Sequence, residues 1–72
     1  MVKPIENERT YSNRSGLVAG LRSAGLEALH YDVRETATGR VTATVYVHDE
    51  EDRQYVQSKG FTAIVDQERA AT

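Results

Sequence analysis

Residues 28–48 read ALHYDVRETATGRVTATVYVH, and the alternation inside this stretch decides the fold. From Ala28 to Glu35, the apolar Leu29, Tyr31 and Val33 alternate with His30, Asp32 and Arg34. From Val41 to His48, the apolar Val41, Ala43, Val45 and Val47 alternate with Thr42, Thr44, Tyr46 and His48. A period of two marks strands buried on one face. Parity then sets the register. Residues directly opposite in an antiparallel pair share a face, so Leu29 belongs opposite Val47, Tyr31 opposite Val45 and Val33 opposite Ala43. This pairing leaves Ala37-Thr38-Gly39 as a three-residue loop, with glycine at the left-handed position of a bulged hairpin. A two-residue Thr38-Gly39 loop would set Val33 against Thr44 and mix the faces.

Upstream of the hairpin, Leu17, Val18, Leu21 and Ala24 fall on one face at helical spacing, which predicts a helix over 16–24. Ser12, Asn13 and Ser15 all qualify as its N-cap. Gly16 and Gly20 lie on another side, and Gly20 weakens the helix by about 1 kcal/mol unless close packing offsets it. Gly25 suits the C′ position of a Schellman stop, with Leu21 and Leu26 as its hydrophobic pair. Downstream, Asp49 is the expected N-cap of a second helix, with Glu50, Glu51 and Asp52 beside its positive end. That helix runs to about Lys59 with Gly60 at C′, and 61–65 is a last short strand. The segment Arg22 to Leu29 repeats in pattern as Gln57 to Ile64: polar, Ser, x, Gly, large apolar, x, Ala, large aliphatic. Shared helix-stop-strand physics could produce this echo by chance, and a duplication would produce it too.

The expected order is therefore α-β-β-α-β, an α+β fold built as a two-layer α/β sandwich. A strand around Val2 to Ile5 would extend it to the ferredoxin-like β-α-β-β-α-β arrangement. Residues 1–11 read as an N-terminal arm or short edge strand, 12–66 as a single domain, and 67–72 as a flexible tail without apolar periodicity.

Composition limits the function. The chain has 72 residues and 8.0 kDa, enough for one thin-cored domain. It has no cysteine, which excludes thiol nucleophiles, disulfides and cysteine-ligated metal sites. No apolar run approaches the roughly 18 residues needed to cross a bilayer, and no signal segment is visible, so a cytoplasmic, soluble protein is expected. The net charge of −2 argues against non-specific nucleic-acid binding. There is no phosphate loop and no readable catalytic triad, so no enzyme and no cofactor are expected.

The candidate surface residues are Asp49, Glu50, Glu51, Asp52 and Tyr55 on the second helix, and Tyr46, Arg34 and His30 on the face of the hairpin expected to be open. The acidic turn suits a basic partner surface, although capping and solubility explain it as well. Polar residues on the hairpin face are equally ordinary for a solvent-facing sheet. His48 beside Asp49 and Glu50 suggests a metal only if His30 faces it, which needs an alternative register. The expectation is a small non-enzymatic protein-interaction module: an accessory, inhibitory or regulatory protein of the kind viruses and mobile elements carry. It would bind another protein through its sheet face, edge strand or acidic second helix. A homodimer paired through the last strand is expected because the core is thin and that edge is bare. The competing expectations are a single-stranded RNA-binding module that stacks bases on Tyr46 and a small metal-dependent enzyme.

Overall fold

A computed structural model of the chain describes residues 7–70. The elements run α1 (Arg14–Ser23), β1 (Tyr31–Glu35), β2 (Val41–Val47), α2 (Glu50–Ser58), β3 (Thr62–Val65) and α3 (Gln67–Ala70). The three strands form a mixed, unclosed sheet in the order β1-β2-β3. β1 pairs antiparallel with β2, matching Tyr31 with Val45 and Val33 with Ala43 as the alternation requires. The loop is the three-residue one, with Gly39 at φ +81 and the Thr36 N–H donating to the Arg40 carbonyl at 2.8 Å. Strand β1 starts at Tyr31 and not at Ala28. The Leu29 N–H donates to the Leu26 carbonyl, so residues 26–29 form a turn before the ladder begins.

Both helix stops are Schellman motifs. The Leu26 N–H reaches the Leu21 carbonyl at 2.9 Å, and the Phe61 N–H reaches the Val56 carbonyl at 3.4 Å. Among the three N-cap candidates, Asn13 does the capping: its Oδ1 accepts from the Gly16 N–H at 2.9 Å. Asp49 caps α2 in the same way, accepting from the Asp52 N–H. Leu17 and Leu21 from α1, Val56 from α2, and Phe61 pack on Ala43, Val45, Val47 and Ala63 of the sheet. One helical layer over one sheet face gives the two-layer α/β sandwich.

β2 and β3 are parallel neighbours, but their pairing begins only at Thr44 and Thr62. The β-α-β unit is thus unsplit. Beside the start of β2 the vacant position is filled by the arm. Tyr11 exchanges two 2.8 Å hydrogen bonds with Val41, and the Arg9 N–H donates to the Gly60 carbonyl at 2.7 Å. The Thr42 hydroxyl donates to the Arg9 carbonyl, and Arg40 holds Thr10 through its side-chain hydroxyl and its carbonyl. The Tyr11 ring stacks on Phe61, centroids 6.4 Å apart, and lies across Gly20. Gly20 therefore has the close neighbour that its place in a helix calls for. The strand expected at Val2 to Ile5 lies outside the described residues.

The segment expected to be a tail from Gln67 onward begins instead with α3, and Ala70 is buried. Asp66 starts this turn: its carbonyl accepts from the Ala70 N–H and its carboxylate from the Arg69 N–H.

Candidate functional site

The sheet face opposite the core was expected to be open; it is covered over β2 and β3, while His30, just before β1, and Asp32 on β1 stay exposed. Thr42 is fully buried, and Thr44, Thr62 and Tyr46 are also buried, Tyr46 at 7% exposure. Side chains from both ends of the chain cover this face. From the arm, the Glu8 carboxylate accepts from Arg34 and, at 2.7 Å, from the Thr62 hydroxyl. Arg34 also donates its Nε–H to the Thr44 hydroxyl at 2.7 Å. From α3, Arg69 lies over the Tyr46 ring at 4.8 Å and donates to its hydroxyl at 2.9 Å. Tyr46 in turn donates to Asp32 at 2.7 Å. The Asp32 carboxylate, with removal from water as a second cause, holds the Tyr46 phenol above its ordinary pKa; Arg69 opposes this. Tyr46 and Arg34 are therefore engaged within the chain, and the ring assigned to base stacking is covered.

His30 remains exposed. Its ring is 5.4 Å from Tyr46, and its Nε2 is 3.8 Å from Asp32. The Tyr46 N–H donates to the His30 carbonyl, which fixes His30 opposite Tyr46 and not His48. The register that would pair the two histidines is not formed. Among the described residues, no group of three or more His, Cys, Asp or Glu side chains converges as metal ligands would.

The second-helix candidates all lie at the surface. Asp49 is committed to capping, and Glu50 pairs with Arg53 one turn on. That hydrogen-bonded pairing lowers the Glu50 pKa and raises that of Arg53. Glu51 and Asp52 are exposed. They precede Tyr55 by four and three positions, so all three share one flank of α2. Tyr55 is 49% exposed and still held in place: its hydroxyl donates to the Ala24 carbonyl at 3.0 Å, and the Lys59 ammonium sits 5.3 Å over its ring. On the same side of the molecule, a groove of about 770 Å³ opens where the C-terminal ends of α1 and α2 meet. Ser23, Ala24, Ser58, Lys59, Phe61 and the arm's Arg9 line it.

Glu8 and Arg69, which cover the far face over β2 and β3, were not among the sequence candidates. Glu8 lies in a stretch without periodicity, and Arg69 in one too short to show any. Gly20 marks only the close approach of Tyr11 and signals neither residue. Among the described residues, no helix is long and apolar enough to cross a membrane. The chain matches no protein-family model, no curated protein and no solved structure.

Proposed function

We propose that this chain is a small non-enzymatic protein-interaction module, accessory or regulatory in role, working in the cytoplasm through the outer flank of α2. Tyr55 carries the proposal. It is a large aromatic side chain half in solvent whose rotamer is already restrained by Ala24 and Lys59. A restrained tyrosine loses little further freedom on binding, which is what interface anchors exploit. Glu51 and Asp52 beside it add negative charge that favours a basic partner surface and speeds encounter. The covering of the opposite sheet face over β2 and β3 supports this choice, because it leaves the α2 flank as the better displayed of the candidate surfaces.

Immobilised wild-type chain and the variants Tyr55→Ala, Glu51→Lys and Ala37→Lys, each checked for native circular dichroism, provide the test. They are exposed to extract of the source organism, and the retained proteins are quantified by mass spectrometry. A protein held by wild type and Ala37→Lys but lost from both flank variants supports the proposal. Equal retention by all four chains refutes it.

A further inference from the structure

We propose that a second copy of this chain pairs with the free edge of β1, joining two three-stranded sheets into one six-stranded sheet. The hydrogen-bond parity of β1 is the starting point. The bonds from Tyr46 to His30 and from Thr36 to Arg40 bracket the ladder. Between them, the residues that exchange bonds with β2 are Asp32 and Arg34. Val41 confirms the phase from the other side: its N–H and carbonyl both go to Tyr11, away from Glu35. Tyr31, Val33 and Glu35 therefore turn their N–H and carbonyl groups outward, and those groups have no partner among the described residues.

This edge is complementary to itself. In an antiparallel pair centred on Val33, Val33 meets Val33 of the second copy, and Tyr31 meets its Glu35. All three are outward-facing residues, so each copy's N–H groups find the other's carbonyls, making six hydrogen bonds about a two-fold axis. Asp32 then lies directly opposite Arg34 of the second copy, twice over. Charges on an edge strand normally discourage pairing. Here their order sets opposite signs face to face. Arg34 has donors to spare: its Nε and Nη2 serve Thr44 and Glu8, and Nη1 has no partner among the described residues. On the other face, the half-buried Tyr31 and Val33 would continue the core across the axis. The bare edge expected at the last strand is thus better matched at the first.

The full chain is studied by sedimentation equilibrium from micromolar to millimolar concentration, with amide hydrogen exchange at both ends of the range. The expected mass rises from 8.0 kDa toward twice that value. The Tyr31, Val33 and Glu35 amides should become protected as it does. Val33→Pro removes an N–H that β2 does not use, and the folded variant should stay monomeric; Tyr55→Ala should dimerise as wild type does. A constant monomer mass, a folded Val33→Pro dimer, or a dimer whose three outward amides exchange freely overturns the proposal. So does loss of the dimer in Tyr55→Ala, which would move the contact to α2. Should Val33→Pro fail to fold, the wild-type exchange pattern decides alone.

Discussion

Replacing Gly20 with alanine sets two effects of opposite sign against each other. Helix propensity favours alanine by about 1 kcal/mol at an interior position. The added methyl, however, would stand 2.2 Å from the Tyr11 hydroxyl oxygen and 2.5 Å from the carbon that bears it. A long flexible side chain could bend away at little cost, but this ring has nowhere to go. It stacks on Phe61, and its backbone is bonded on both sides to Val41. Overpacking of this kind costs about 1–3 kcal/mol. Rigidity puts this site near the upper figure, so the net loss is about 2 kcal/mol. For a domain of this size that lowers Tm by roughly 8–16 °C. Gly16 is the built-in control. Its methyl would meet Tyr11 and Asn13 atoms at 3.6 Å, an ordinary contact, so Gly16→Ala should gain about 0.5 kcal/mol. Urea denaturation followed by circular dichroism measures both. A Gly20→Ala variant as stable as wild type, or a Gly16→Ala variant equally damaged, would refute the account of the arm as packed against α1.

Gly60 combines a φ of +94 with a methyl position 2.6 Å from the Cγ of Arg9, whereas Gly39 has a φ of +81 and open space. Gly60→Ala should therefore lose about 1 kcal/mol more than Gly39→Ala, and the excess should vanish in an Arg9→Ala background when both are measured by urea unfolding. The raised pKa of Tyr46 gives the second prediction. A group whose proton is held more tightly when folded contributes stability below its unfolded pKa, near 10, and loses it as pH rises through the folded value. The urea midpoint should fall at alkaline pH, and less steeply for Tyr46→Phe. The phenolate absorbance titration should contain a component above the ordinary tyrosine pKa that disappears from that variant.

The parts of the fold legible in the sequence are those governed by neighbours in the chain. The hairpin register follows from parity plus one glycine, and Gly39 sits where that logic puts it. The two helix stops follow from a glycine followed by a large apolar residue, and Gly25-Leu26 and Gly60-Phe61 both behave so. Asp49 announces α2 because capping is local. The covering of the second sheet face over β2 and β3 was hidden because it depends on contacts between segments with no pattern of their own. Nothing near Glu8 indicates that it meets Arg34 and Thr62, and α3 is a single turn without an apolar repeat. At the candidate site the same division holds. Tyr55, expected at the core's flank or at an interface, lies at the surface and is 49% exposed, while the burial of Tyr46 follows from the distant Arg69.

The bonding of the arm also has a consequence in time. Glu8 and Thr62 are 54 positions apart, and Arg9 likewise waits for Gly60. At roughly 5–20 residues per second, that stretch takes roughly 3–11 s to synthesise. Throughout that interval the arm has no partner on the α2–β3 corner, and Gly60 and Thr62 are not yet there to receive it. Helix–coil relaxation takes roughly a microsecond and hairpin formation microseconds, so α1 and the β1–β2 pair have ample time to form and dissolve while they wait. Glu8 and Arg9 thus cannot complete their contacts until Gly60 and Thr62 have been made, and closure of this fold waits on synthesis of the α2–β3 corner.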